Sequence, residues 1–210
     1  MPLKIFTSLL FIVQLQIVLA QNNDSIALVE IQKFQNELNL HYKSKTNSPL
    51  TKKDRRKFKE HHFFKVDLKY CVNARLVSTP KSDTFGMKTS TDREPLYRQY
   101  GIAYFTIDGE KFHLSIYQNI KYSAFEKYKN SLFLLYNDKT NGSQTYGGGR
   151  YIDLEIPLGD SISIDFNKSY TPYCHYNSKY SCPIPPPQNR LKIKIKAGVK
   201  MYGKIKNKHK

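Results

Sequence analysis

The segment "IAYFTIDGEKFHLSIYQ", residues 102–118, decides the fold. Asp108-Gly109 favours a two-residue hairpin turn, because residues of these types tolerate the positive φ that such a turn requires. With the turn at this dipeptide, the apolar residues on the two arms face each other: Phe105 with Phe112, and Ala103 with Leu114. The segment therefore predicts an antiparallel β-hairpin with one buried face.

The same alternation of apolar and polar residues recurs along the later chain. It predicts further strands over residues 68–77, 131–136, 150–157, 161–167 and 191–199. Short strands separated by turn residues are typical of barrels and of two-layered sheets. The chain has 210 residues and no internal repeat, which suits one domain. We predict a mainly β, single-domain antiparallel β-sandwich or barrel.

An amphipathic helix is predicted before these strands. Pro49 ends the helical pattern, because a proline disfavours helix in the residue before it. Thr51 is suited to capping a short second helix. We assign residues 21–47 to the N-terminal helix, residues 48–203 to the β-rich domain and residues 204–210 to a basic tail. The apolar face of the helix consists of Leu28, Ile31, Phe34, Leu38 and Tyr42.

Residues 1–20 have the composition of a secretory signal peptide. Lys4 precedes a nearly uninterrupted apolar run, and small residues stand before a cut after Ala20. The run is too short for a membrane span, and no later segment is apolar enough for a transmembrane segment. We therefore predict a Sec signal and a secreted or periplasmic protein.

The chain is strongly basic, with 34 Lys and Arg against 17 Asp and Glu, a formal net charge of +17. This charge favours a small or anionic ligand or an acidic surface. The alternative is that the basic segments 51–60 and 191–210 are only solvated faces and tails. Nucleic acid is not expected as a partner, because the chain is exported and lacks a recognised aromatic–basic motif. The sequence does not indicate an oligomeric state.

A run of three glycines precedes Arg150 in "TYGGGR". A phosphate-binding loop follows a strand and opens a helix, whereas this run opens a strand, so we interpret the glycines as allowing positive φ or a close approach of another segment. Arg150 has the same parity as Ile152 and is therefore predicted on the core face. There it requires a carboxylate such as Asp138 or the anionic group of a ligand.

Cys174 and Cys182 enclose a seven-residue loop, "HYNSKYS". In an exported protein the first interpretation is a disulfide, and the alternatives are a reduced or redox-active pair. A zinc site needs about four ligands, which this segment does not supply. We predict no metal and no cofactor, and Cys71 is left as a free thiol. The tyrosines of this region predict a cleft suited to sugars or peptides: Tyr170, Tyr173, Tyr176 and Tyr180.

Two alternating segments meet at Leu158-Gly159-Asp160. A three-residue turn there pairs the segments as a hairpin and places Asp153 opposite Asp165. Directly opposed like charges destabilise a sheet, so the pairing calls for compensation. The options are a raised pKa on one acid, a bound cation, or lysines of a neighbouring strand, namely Lys192, Lys194 and Lys196.

Four segments resemble successive blocks of a bacterial and archaeal family known only as domain of unknown function 1684. They are "NSPLTKKDRRKFKEHHFFKVD", "REPLYRQYGIAYFTIDGEKFHLSIYQN", "LFLLYNDKTNGSQTYGGGRYIDLEIP" and "IDFNKSYTPYCHYNSKYSCPIPPPQNRLKIKIKAGVK". The resemblance covers residues 48–200 and implies a family, not an activity. The family pattern supplies all but one of the candidate ligand-binding residues, and Asp153 is added from the hairpin predicted above. The candidates are Asp138, Thr145, Tyr146, Arg150, Asp153, Asp165, Asn167 and Asn189.

Polar and glycine residues of the family pattern concentrate where residues 140–151 are expected to meet residues 165–182. Loops held by strands commonly carry binding sites, so we predict an exported, β-rich ligand-binding or envelope-associated domain with its site there. The alternative is a hydrolase-like enzyme that uses aspartates with Arg150 as an anion clamp. The sequence contains no nucleophile elbow and no His-Glu-x-x-His motif.

The predicted signal peptide can be checked directly. N-terminal sequencing of the exported protein should begin at Gln21, because cleavage is expected after Ala20. A mature product that still begins at Met1 would contradict the assignment.

Overall fold

The computed structural model describes residues 24–202, so the predicted signal peptide 1–20 and the basic tail 204–210 lie outside the described residues. Most of the described chain forms one antiparallel sheet that curls into a half-barrel. This confirms a mainly β fold with an N-terminal helix. The strands are β1 (Cys71–Ser78), β2 (Thr84–Gly86), β3 (Leu96–Ile107), β4 (Glu110–Asn119), β5 (Ser131–Tyr136), β6 (Arg150–Glu155) and β7 (Ser161–Asp165). Their order across the sheet is β6-β5-β4-β3-β1-β7, and β2 pairs with β3.

Three α-helices accompany the sheet in residues 24–202: α1 (24–43), α2 (Lys52–Lys57) and α3 (Ile120–Ser123). The predicted apolar face of α1 is largely buried, with Ile31 and Tyr42 fully inside, whereas Leu28 is exposed. Thr51 caps α2 as predicted, because its hydroxyl accepts a hydrogen bond of 3.1 Å from the backbone N–H of Asp54. No helix in the described part of the chain is long and apolar enough to cross a membrane.

The predicted hairpin is present as β3 and β4. Asp108 and Gly109 have φ values of 50° and 81°, which are the left-handed values that the turn requires. The predicted register is also confirmed, with Phe105 paired with Phe112 and Ala103 paired with Leu114.

A bulge between Gln99 and Gly101 interrupts the register of the hairpin. Tyr97 and Ala103 are an even number of residues apart, yet they pack in different apolar clusters. The bulge explains this difference, because one extra residue turns every preceding side chain to the opposite face. We call the face of Ala103 the inner face and the face of Tyr97 the outer face.

The main core fills the inside of the half-barrel. It is formed by the inner-face residues of six strands together with part of the C-terminal segment, residues 191–199. Alternation in this segment buries Ile195, Ala197 and Val199 completely. The prediction that residues 191–199 form a strand is nevertheless wrong, because the segment makes only isolated backbone bonds to residues such as Lys139 and Ser169.

The predicted hairpin of residues 150–167 is also wrong. Strand β6 pairs with β5 and strand β7 pairs with β1, so the two strands stand at opposite ends of the sheet. Asp153 therefore lies opposite Phe133, and Asp165 lies opposite Cys71. The intervening residues 156–160 connect the two ends across the opening of the half-barrel, where Leu158 is fully exposed. The alternation predicted the buried face of each strand, but it carried no information about its neighbour.

Candidate functional site

Arg150 lies in the interior and not in a ligand site. Its side chain is 0% exposed and forms an ion pair with Asp138, whose side chain is equally buried. The guanidinium also donates hydrogen bonds to the carbonyl oxygens of Ala197 and Ile195, the latter at 2.9 Å, and it lies 5.1 Å from the centre of the Tyr136 ring. The prediction that a carboxylate holds Arg150 is confirmed. An anion clamp at Arg150 is not supported, because no solvent reaches it.

Other polar residues suggested by the family pattern also hold loops. The Thr145 hydroxyl is 2.8 Å from that of Thr140 in a fully buried pair. The Asn189 side chain donates to the carbonyl oxygens of Ser115 and Leu135 at 2.7 and 2.8 Å, and it accepts from the Ser115 N–H at 2.8 Å. The side-chain polar atoms of Thr140, Thr145 and Asn189 all have hydrogen-bond partners inside the protein, as buried polar groups generally do.

Asn167 also holds neighbouring segments together, in this case beside β7. Its side chain bonds to both backbone groups of Asp67, at 3.0 and 3.2 Å, and donates to Asp165 at 3.0 Å. Asp165 in turn accepts from the Asn167 N–H at 2.9 Å. Asn167 is therefore a structural bridge between β7 and the segment before β1.

The glycine run allows a close approach, as the sequence predicted. Gly149 has a φ of +98°, and a Cβ at this position would lie 2.5 Å from Pro185 and 2.9 Å from the Tyr136 carbonyl oxygen. A side chain at this position would therefore collide with the backbone as well as adopt a rare conformation.

The three cysteines are free thiols in the structure, so the predicted disulfide between Cys174 and Cys182 is not formed in it. The two residues are nevertheless neighbours, because the Cys174 N–H donates to the Cys182 Sγ at 3.1 Å. A hydrogen bond from Cys182 lowers the pKa of the Cys174 thiol to about 6, and the same contact together with burial raises the pKa of Cys182. The sulfur atoms are therefore in hydrogen-bonding contact and not in covalent contact.

The two loops of the predicted site do meet. Tyr151 and Tyr170 exchange backbone hydrogen bonds of 2.9 Å, and the ring of Tyr146 lies 4.5 Å from that of His175. Burial raises the pKa of the Tyr146 hydroxyl to about 12. The open space at this junction lies on the outer face of the sheet, away from Arg150.

Two adjoining hollows occupy the outer face. The first, which we call the tyrosine hollow, has a volume of about 570 Å³ and lies under residues 170–183. Its walls include Tyr151 and three of the four tyrosines predicted to line a cleft, whereas Tyr176 packs against α1 in a separate cluster. The residues that line it are Arg93, Pro95, Leu96, Tyr97, Asn119, Ile120, Lys121, Tyr122, Phe133, Tyr151, Tyr170, Pro172, Tyr173, Tyr180, Ser181, Cys182 and Pro183.

The second hollow, which we call the carboxylate hollow, has a volume of about 800 Å³ and lies between β6 and β7. It is lined by Phe34, Tyr97, Asn119, Tyr122, Ser123, Tyr128, Ser131, Leu132, Phe133, Ile152, Asp153, Leu154, Glu155, Ser163, Asp165 and Lys168. Tyr97, Asn119, Tyr122 and Phe133 line both hollows. The two hollows therefore adjoin along a shared wall, and we call them together the outer cleft.

Asp153 and Asp165 share the carboxylate hollow although their strands are not paired. The Tyr170 hydroxyl lies 2.9 Å from both carboxylate oxygens of Asp153. Asp153 is exposed, yet desolvation by the surrounding protein raises its pKa, and the Tyr170 hydrogen bond partly opposes that shift. Because Asp153 and Asp165 are not opposed across a strand pair, the compensation considered from the sequence is not required, and the raised pKa of Asp153 has desolvation as its cause. The three lysines of residues 192–196 do not line the hollow, and residues 24–202 contain no group of three or more acidic, His or Cys residues placed to hold a metal.

Sequence reasoning missed the aromatic residues that line both hollows. Tyr97 and Phe133 both lie on the outer face of the sheet, and alternation on β5 would have indicated Phe133. The bulge at Gln99–Gly101 hid the orientation of Tyr97, because it reverses the parity within one strand.

Comparison with known proteins agrees with the resemblance noted in the sequence. A family model described as "Protein of unknown function (DUF1684)" matches residues 56–200, more than half of the chain, and the protein belongs to that family. The solution NMR structure of an uncharacterized protein from Haloarcula marismortui is similar, with 30% sequence identity and a TM-score of 0.67. That similarity covers 86% of this chain and 97% of the archaeal chain. No curated protein matches the chain.

Replacing Arg150 by Lys should destabilise the protein, although the charge is kept. A lysine lacks the planar fork, so a buried carbonyl oxygen of residues 195–197 is left without its donor, at a cost of about 1–3 kcal/mol. Urea unfolding measures the change, and Arg75→Lys on the exposed side of β1 is the matched control. Equal stabilities of the two variants would show that the fork does not matter.

Asp153→Asn should stabilise the protein at neutral pH. Because the folded state raises the pKa of Asp153, the ionised carboxylate lowers stability above that pKa, and this loss is relieved as the pH falls through it. The gain in Tm over the wild type should therefore be present at pH 7 and disappear in acid. Asp160→Asn in the exposed loop makes the same charge change outside the cleft. A variant that is less stable than the wild type at both pH values would refute this account.

Proposed function

We propose that the protein is an exported binding domain and that its outer cleft holds a sugar or a short peptide. The observation that carries the proposal is the pair of adjoining hollows that share an aromatic wall. Each of the two hollows, at about 570 and 800 Å³, falls within the roughly 300–1,000 Å³ that is typical of ligand pockets. Aromatic walls with a few polar groups are the usual composition of such pockets.

Two tyrosines of the cleft, Tyr122 and Tyr128, present accessible surface to a ligand. Tyr122 is 55% exposed, and its ring contacts that of Tyr128 at 6.0 Å between centres. Tyrosine offers an apolar ring and a polar hydroxyl on a stiff side chain, which suits the alternating apolar and polar faces of sugars and peptides.

The raised pKa of Asp153 also supports a ligand site in the outer cleft. Its raised pKa means that the fold loses stability by keeping this carboxylate ionised in the cleft. Perturbed acids of this kind concentrate at functional sites, where stability is exchanged for binding. Asp165 and Glu155 add two more carboxylates to the same hollow.

Export and envelope association belong to the same proposal. The signal peptide predicted in residues 1–20 supports export. The net charge of +17 favours anionic envelope polymers, and the exposed lysines and arginine of α2, such as Lys53, Arg56 and Lys57, concentrate positive charge near the N-terminus.

We further propose that Cys174 and Cys182 become bonded to each other after export. The two thiols would pass two protons and two electrons to a disulfide-bearing oxidant. Their hydrogen-bond contact and the lowered pKa of Cys174 support this step, because the thiolate is the attacking form. Peptide mapping of unreduced exported protein should recover the two cysteines linked, and protein kept in reductant is the control. Recovery of both as alkylated thiols from the exported protein would exclude the bond.

Ligand binding can be measured by thermal shift with two sets of probes, neutral trisaccharides and unblocked tripeptides. At a concentration one hundred times Kd, a true ligand should raise Tm by roughly 5–10 °C. Tyr122→Ala should remove the shift, because this ring lines both hollows. Tyr104→Ala, on β3 but outside the cleft, should keep it. The proposal fails if neither set of probes raises Tm, or if the two variants behave alike.

A further inference from the structure

The charges of the outer cleft are segregated along its length. The charged residues that line the tyrosine hollow are Arg93 and Lys121, and no acidic residue lines it. The carboxylate hollow is lined by Asp153, Glu155 and Asp165 against a single base, Lys168. The cleft therefore has a basic end and an acidic end, joined by aromatic rings.

These charges are not neutralised by the protein itself. Within residues 24–202, none of the charged residues that line the cleft takes part in an ion pair. Arg93 gives one hydrogen bond of 2.8 Å to the carbonyl oxygen of Ser181, which leaves most of its five donors for another group. Charges held next to a cleft without a counter-charge favour a ligand that supplies one.

A ligand that matches both ends must carry two opposite charges that are well separated. Compact zwitterions hold their charges only a few ångströms apart and would meet a single end. An extended peptide instead separates its terminal ammonium from its terminal carboxylate by at most about 3.5 Å for each residue. Its uncharged middle would lie on the rings of Tyr122 and Phe133, and the ring of Tyr122 can also attract an ammonium group.

The open edge of β6 favours a peptide for an independent reason. On the side away from β5, Tyr151 exchanges backbone hydrogen bonds with Tyr170. Backbone groups of alternate strand residues point to the same side, so those of Asp153 and Glu155 also point away from β5. No strand of the described chain pairs with β6 on that side. An extended peptide can add to such an edge through its own backbone amides.

We infer that the outer cleft binds a short peptide with free termini, with its amino terminus at the carboxylate hollow and its carboxyl terminus at the tyrosine hollow. This inference rests on the proposed function and names its ligand class. The peptide is recognised by its two terminal charges and by its backbone, so its side chains contribute less to recognition.

Calorimetric titration with alanine peptides of two to five residues tests the inference. Each length is used in four forms: unblocked, N-acetylated, C-amidated and blocked at both ends. The unblocked form should bind most tightly, and each block should weaken binding by about fivefold or more, the factor expected for one partly screened ion pair. Added salt should reduce the difference between the forms, because screening weakens both ion pairs.

Two variants assign the ends of the peptide. Asp153→Asn combined with Glu155→Gln should weaken unblocked and C-amidated peptides but not N-acetylated ones, which carry no ammonium. Arg93→Gln combined with Lys121→Gln should weaken unblocked and N-acetylated peptides but not C-amidated ones. Lys111→Gln and Asp160→Asn, each of which removes one charge of the corresponding sign outside the cleft, are the controls.

The outcomes separate this inference from the proposed function. Equal affinity for all four peptide forms, or binding of a neutral trisaccharide at the cleft without peptide binding, would overturn the peptide inference and leave the proposed function standing. Binding of neither peptide nor trisaccharide would overturn both.

Discussion

The ion pair of Arg150 and Asp138 is the contact on which the rest of the structure depends. It joins the start of β6, the loop after β5 and the C-terminal segment, because the guanidinium also bonds to the carbonyl oxygens of Ile195 and Ala197. An unpaired charge in the interior would cost several kcal/mol, so the three parts stabilise one another only together. The pair thus holds residues 191–199 inside the half-barrel, where they complete the core.

Because residues 191–199 cover the inner face of the sheet, its outer face remains available for a site. A curled sheet must cover its apolar inner face, and here the C-terminal segment does so in place of a second sheet. The outer face of β3, β5 and β6 is covered only in part, by residues 170–183 and by α1. The uncovered part is the outer cleft. Its lining is aromatic because several strand residues that point away from the core are tyrosine or phenylalanine.

Apart from Tyr146, which is half-buried and lines neither hollow, the candidate residues divide into two groups by position. Asp138, Thr145, Arg150, Asn167 and Asn189 are buried and bonded to backbone or to each other, so they maintain the loops. Asp153 and Asp165 line the cleft and make no ion pair in the described chain. Family membership therefore marked mainly residues that support the fold, whereas Asp153, which was added from the strand argument, lines the cleft.

The sequence by itself determined the hairpin of β3 and β4, the N-terminal helix, the buried side of most strands and the need of Arg150 for a carboxylate. These features depend on local turn chemistry, on periodicity and on the cost of burying a charge. Only the tertiary structure decided that β6 and β7 stand at opposite ends of the sheet, that residues 191–199 lie inside the half-barrel, and that Asp153 and Asp165 line the same hollow. Periodicity specifies which side of a strand is buried, but the neighbour of a strand depends on how the whole chain closes around its core.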